Sequence, residues 1–196
     1  QDSLLDLVVQ TGGTHRVLLQ QDPAAWTSGG TIEGLSVRDF VLADLDSDGD
    51  ADVVQGAVWR ENARDDTWIK HYIDRDRLDA IGSVVTDVDE DGFPELTMGS
   101  WNAGRPLSLY KPETENPRGP WIEFPIDSVS YVRSIQAHGD NNGTTYVAVA
   151  AYGEEGQTQV SLFRNDGGLW KRQELTEGLI SHHVLLGDVG SDGDID

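Results

Sequence analysis

The sequence predicts an all-β chain of about four repeated blades, each a four-stranded antiparallel sheet, arranged as in a β-propeller. Three observations predict it. An acidic loop recurs along the chain at a spacing of roughly 40–50 residues, the period of propeller blades. Short runs rich in Val, Ile, Leu and aromatics flank each loop and are bounded by turn residues, as strands are. No stretch carries a sustained helical period of apolar residues.

The loop reads Asp44-Leu-Asp-Ser-Asp-Gly-Asp-Ala-Asp52, then Asp87-Val-Asp-Glu-Asp-Gly-Phe-Pro-Glu95, then Asp188-Val-Gly-Ser-Asp-Gly-Asp-Ile-Asp196. With the glycines aligned, its ninth position falls at Asp6, Asp52, Glu95, Tyr146 and Asp196, in steps of 46, 43, 51 and 50 residues. One repeat region therefore spans 1–196, in units of about 1–35, 36–79, 80–130 and 131–180, with a partial unit at 181–196.

Within a unit the elements follow in order. An apolar run precedes the loop, at 40–43, 83–86 and 184–187. A second run follows it, from Asp52, Glu95 and Tyr146, and then an aromatic, Trp59, Trp101 or Tyr152. After a polar connection, a Trp-led strand closes the unit, from Trp68, Trp121 or Trp170, with Trp26 at the matching place in the first unit. The Trp68 segment alternates as a half-buried strand does, Trp68, Lys70 and Tyr72 against Ile69, His71 and Ile73. Each Trp is expected to pack between blades, with exposure as a sugar platform as the alternative. The pairs Gly12-Gly13 and Gly29-Gly30 read as hairpin turns. The chain starts and stops inside a loop, which favours a piece of a larger propeller over a closed four-bladed ring. It has neither an initiator Met nor a signal sequence, so its start reads as processed or engineered.

Composition narrows the function. The net charge of −21 excludes ordinary binding to nucleic acid or to an anionic membrane surface. Only three Lys occur, Lys70, Lys111 and Lys171, against eleven Arg. Cysteine is absent, so disulfides, thiolate nucleophiles and Cys-ligated metals are excluded. No run approaches the roughly 20 apolar residues of a membrane span. An acidic, cysteine-free chain with repeated carboxylate loops suits a calcium-rich exterior, so an extracellular, secreted or cell-surface setting is expected.

Alternating carboxylates around a glycine can wrap a hard cation in oxygen. An EF-hand would need a Glu at position 12 and flanking helices. Position 12 is Gln55 or Met98, and the flanks are strands. In a hairpin loop, position 9 can supply the last carboxylate instead. The expected side-chain ligands are Asp44, Asp46, Asp48 and Asp52 in the first loop, and Asp87, Asp89, Asp91 and Glu95 in the second. Oxygen-only donors favour Ca²⁺ over zinc or copper, and over magnesium, which keeps its waters. The third loop has Gly190 at position 3 but keeps Asp188, Asp192 and Asp196, with Asp194 at position 7. The degenerate copy at 138–146 keeps only Asp140 and Asn142, and no tight metal is expected there.

The stretch Val41-Leu-Ala-Asp-Leu-Asp-Ser-Asp-Gly-Asp-Ala-Asp-Val-Val-Gln-Gly56 resembles the FG-GAP and VCBS repeat families of integrin-α-like propellers. The Phe-Gly and Gly-Ala-Pro signatures are missing, so the VCBS-like variety fits better. The resemblance covers essentially the whole chain. It implies a propeller, usually seven-bladed, with calcium in the hairpin loop between the first two strands of a blade. It also implies backbone carbonyl ligands at position 7, Asp50 and Phe93.

Catalysis has one candidate cluster, His182 and His183 with Arg133. The offsets that place these His residues before their loop give Arg38 and Asp39, Ile81 and Gly82, and Val132 and Arg133 in the other units. In a propeller these positions start the innermost strand at one mouth of the channel, together with Tyr131. Such a group suits proton abstraction from, or binding of, an acidic sugar. Polar lining of a solvated channel is the plainer reading. His15, His71 and His138 read as surface or strand residues. The expected role is a rigid scaffold binding protein or carbohydrate, within a longer parent chain if the fragment reading holds. A sugar lyase or dehydratase is the alternative.

Overall fold

A computed structural model describes residues 6–11, 14–33, 40–64, 67–140, 143–152, 158–179, 183–187 and 190. They form fifteen β-strands and one short 3₁₀ turn, Arg75–Arg77. The strands are β1 (Leu7–Thr11), β2 (Thr14–Asp22), β3 (Ala25–Ile32), β4 (Val41–Ala43), β5 (Asp52–Gln55), β6 (Val58–Asn62), β7 (Trp68–Tyr72) and β8 (Ala80–Thr86). They continue as β9 (Glu95–Ser100), β10 (Leu107–Pro112), β11 (Trp121–Asp127), β12 (Val132–Gly139), β13 (Thr145–Tyr152), β14 (Thr158–Asp166) and β15 (Leu169–Leu179).

The all-β expectation holds. Four antiparallel meanders follow one another along the chain: β1–β3, β4–β7, β8–β11 and β12–β15. The last three have four strands each, and the first has three among the described residues. Every neighbour in a sheet is also a neighbour in sequence, so short turns suffice and contacts stay local.

Burial follows position. The second strands, β5, β9 and β13, are buried almost throughout, with Val53 and Val54, Leu96 and Met98, and the run 147–151 at their centres. The fourth strand β11 is largely exposed. Three apolar clusters lie between successive sheets. Val17 and Ile32 of the first sheet meet Val53 of the second. Val54, Trp59 and Ile73 of the second meet Leu96, Met98 and Tyr110 of the third. Val84 and Leu107 of the third meet Val132, Val147 and Phe163 of the fourth. The sheets thus stack face to face, with β8 against β12 and against β4 and β5. Contact is close: a Cβ on Gly99 in β9 would lie 2.6 Å from a Val132 methyl.

Several expectations change. Gly29 and Gly30 are inside β3, and the β2–β3 turn is made by Pro23 and Ala24. A Cβ on Gly29 would meet the Leu19 side chain at 2.7 Å, and Gly30 has φ of 102° beside a register shift in the β2–β3 ladder. Close packing and a bulge therefore account for this pair. Gly12 and Gly13 lie outside the described residues. The aromatics Trp59, Trp101 and Tyr152 are not equivalent. The short β5 turns back early at Gly56 and Ala57, which carries Trp59 into the third strand and the core, whereas Trp101 and Tyr152 sit at the ends of β9 and β13. The run 184–187 carries no strand, and the Val184 amide donates to the Ser134 hydroxyl at 3.3 Å. Of the tryptophans, Trp59 is fully buried, whereas Trp26 is 40% exposed on β3. His15 is in β2 as a strand residue, fully buried, edge-on to Phe40.

Candidate metal centres

The two complete acidic loops join the first and second strands of their sheets, β4 to β5 and β8 to β9. They fold alike, position by position. Positions 4 and 6 take left-handed backbone in both: Ser47 at 59° and Gly49 at 90°, Glu90 at 58° and Gly92 at 89°. A non-glycine residue there costs of order 1–3 kcal/mol, so the surrounding bonds must hold it. The carboxylate at position 1 accepts from the amides at positions 5 and 6: Asp44 from Asp48 and Gly49 at 3.1 and 3.0 Å, Asp87 from Asp91 and Gly92 at 3.1 and 2.9 Å. Position 5 accepts from position 7, Asp48 from Asp50 and Asp91 from Phe93, each at 2.9 Å. Position 9 accepts from position 2, Asp52 from Leu45 at 3.1 Å and Glu95 from Val88 at 2.7 Å. The spacing of the carboxylates thus serves two ends: it caps loop amides, and it brings carboxylate oxygens of different residues together.

Those oxygens do converge. Asp44, Asp46 and Asp48 place one carboxylate oxygen each within 4.8 Å of one another, and so do Asp87, Asp89 and Glu95. Among the described residues these are the two such groups. Each holds a buried oxygen that accepts no hydrogen bond, Oδ1 of Asp46 and Oε1 of Glu95, the latter with the Lys111 ammonium 3.5 Å away, on side chains only 1% exposed. A buried carboxylate oxygen without a donor is costly. A divalent cation among three carboxylates is the ligand that the donor chemistry fits.

The two loops differ at position 9. Asp52 spends its second oxygen on the Asn62 amide at 2.8 Å, as Asp6 in the first sheet does on the Gln20 amide at 3.0 Å. Strand register puts Pro112 where Asn62 and Gln20 stand. Proline has no amide hydrogen. The second oxygen of Glu95 is therefore left over and turns to the cation group, while Asp52 remains a clamp outside it. Burial pushes both carboxyls up to about 7, against the pull of their amide partners. Burial also raises Asp46, with Arg118 opposing it.

Cationic side chains reach both groups. The Lys111 ammonium lies 2.5 Å from Asp89, 2.6 Å from Asp91 and 3.5 Å from Glu95. Arg118, from the β10–β11 turn of the next sheet, reaches Asp46 and pairs with Glu61 through two bonds of 2.6 and 3.0 Å. Glu61 also pairs with His71 at 2.6 Å, and the His71 ring stacks on Trp59. Asp50 pairs with Arg64 at 2.6 Å. None of Lys111, Arg118 and Glu61 stood out in the sequence. Their signal is the strand register, which sets Lys111 and Glu61 directly across from position 9.

The remaining candidates fall as follows. Gly190 apart, the third loop, with Asp188, Asp192, Asp194 and Asp196, lies outside the described residues, as does Asn142. Asp140 accepts from Thr144 at 2.8 Å and from the Tyr146 hydroxyl at 3.4 Å, as a turn residue does. His182 also lies outside, and His183 is exposed. The Arg133 guanidinium is held over the rings of Trp101 and Tyr152, 3.7 and 4.4 Å from their centres, with Tyr131 edge-on to Trp101. Tyr131 and Tyr152 also line a groove of about 830 Å³ with Gln159 and Arg172.

No protein-family model matches the chain, and no curated protein shows significant similarity to it.

Proposed function

We propose that the chain is a calcium-stabilised scaffold of the FG-GAP/VCBS propeller type, from an extracellular protein, that presents a surface for binding protein or carbohydrate. The carrying observation is the buried oxygen of Asp46 that accepts no hydrogen bond beside Asp44 and Asp48, repeated by Glu95 beside Asp87 and Asp89, where the nearest cation is the Lys111 ammonium at 3.5 Å. Hard oxygen donors in this number, without nitrogen or sulfur, select calcium. The face-to-face stacking of consecutive meanders supports blades of a propeller. For the ligand surface, the groove beside Tyr131 and Tyr152 offers aromatic faces with Arg172 and Gln159. Arg133, fixed by two rings, favours binding there over proton transfer, so scaffold takes precedence over lyase or dehydratase.

The test is thermal melting in calcium and in excess EDTA. At about 100 times its Kd, one bound ion stabilises by about 2.7 kcal/mol. For a chain of this size that is a shift of roughly 5–10 °C. A melting curve that EDTA leaves unchanged would refute the calcium reading.

A further inference from the structure

Strand pairing assigns one register position a decisive role. Leu96 pairs with Tyr110 and Val53 with Arg60. One step on, Lys111 lies across from Glu95 in the third sheet, and Glu61 lies across from Asp52 in the second. Residues directly opposite in an antiparallel pair interact strongly, and like charges there repel. The same position therefore adds a carboxylate to the first loop and an ammonium to the second. The consequence is visible in each. In the first loop the extra carboxylate is met from outside, by Arg118, which spends two bonds on Glu61 and touches a single cation-group residue, Asp46. In the second loop Lys111 itself contacts Asp89, Asp91 and Glu95, which include two of the three carboxylates that converge. Glu95 is 1% exposed, and its Oε1, which Pro112 leaves without an amide, points at that group. In the fourth sheet the position is Arg164, beside the degenerate loop.

Building on the metal reading, we infer that Lys111 is a tethered counter-ion that competes with a divalent cation for the second loop, so that the two loops load in sequence. The first loop fills at low calcium, because a side-chain cation holds one of its three converging carboxylates, Asp46, whereas Lys111 holds two of the three in the second, and net ligand charge raises affinity. The second fills only where calcium displaces the ammonium from Asp89 and Glu95. By linkage, calcium in the second loop frees the Lys111 amine to the same degree that the amine weakens calcium.

Calcium titration by calorimetry tests this on the wild-type chain, Lys111→Met and Lys111→Gln. The wild type should show two classes of site at least tenfold apart, or one site with the second beyond range. Both variants should tighten the weaker class tenfold or more and leave the tighter class within twofold. Asp46→Asn should remove the tighter class, and Glu95→Gln the weaker. Acetylation of Lys111, read by mass spectrometry, should accelerate only at the calcium concentration that fills the weaker class. Two equal affinities in the wild type, or variants with unchanged weaker binding, would overturn the role of Lys111 while leaving the metal sites standing. No calcium binding in wild type and variants alike would overturn the metal reading and this inference together.

Discussion

Replacing Arg118 by Ala removes a bridge between the second and third sheets and strips counter-charge from two buried carboxylates. Asp46 is 1% exposed and Glu61 9%, while the arginine itself is 42% exposed. Hydrogen bonds to charged groups are worth about 1.5–3 kcal/mol each. Solvent around the guanidinium screens the pairs, so the lower end applies to each carboxylate. Glu61 retains His71 at 2.6 Å, which trims its share. The expected cost in EDTA is about 2–3 kcal/mol, or roughly 5–10 °C in melting temperature. Calcium at Asp46 would replace the lost counter-charge there, so the cost should fall by about half in saturating calcium. Thermal and urea unfolding of wild type and Arg118→Ala, each with EDTA and with calcium, measure both numbers. A variant melting within about 1 °C of wild type in EDTA would refute the bridge. An equal cost in both buffers would refute the link between the bridge and a cation at Asp46.

Two further outcomes follow from packing. Gly99→Ala sets a Cβ within 2.8 Å of three Val132 side-chain atoms and should cost about 1–3 kcal/mol in urea unfolding, with Val132→Ala in the double variant recovering part of it. Additive losses in the double variant would show that the contact is not the cause. Gly56→Ala meets the Ala80 carbonyl oxygen at 2.7 Å in a left-handed backbone at 53°, whereas Gly104→Ala has the same class of backbone at 81° and open space around it. The first should lose clearly more than the second, which carries only the left-handed backbone cost of about 1–2 kcal/mol. Equal losses would contradict the steric account.

What was legible in the sequence was local and periodic. The acidic loops fall between the first two strands of their sheets because glycine and alternating aspartates dictate the turn, and apolar runs such as 147–151 dictate buried strands. What was hidden depends on pairs far apart in sequence. Arg118 meets Asp46 across 72 residues, and no local pattern marks it. Arg77, which no local pattern marks either, is 1% exposed, donating to Ser108, Tyr110, Glu123 and the Pro106 carbonyl. Gly29-Gly30 carries the composition of a turn, yet the side chains of Val17 and Leu19 on the neighbouring strand decide its conformation. Aligning units by loop alone also misplaced Trp59, because β5 is shorter than β9 and β13. Lys111 becomes meaningful only once strand pairing sets it across from Glu95.

The acidic loops do more than close hairpins, because each also abuts the following sheet. In the first loop Leu45 is 2% exposed and belongs to the cluster shared with the third sheet, and Asp46 holds Arg118 from that sheet. In the second loop Val88 is 6% exposed, its carbonyl accepts from the Thr145 hydroxyl of the fourth sheet at 3.5 Å, and a Cβ on Gly143 would lie 2.7 Å from the Glu90 carboxylate. In an array whose units touch only their neighbours, stability is a sum of unit and interface terms. Ordering a loop therefore acts on both terms at once. An ion at 100 times its Kd would contribute about 2.7 kcal/mol, the same order as the Arg118 bridge. Guanidinium and ammonium are then two answers to a surplus of carboxylate in these loops: Arg118 from the next sheet at the first, and Lys111 from the strand opposite position 9 at the second.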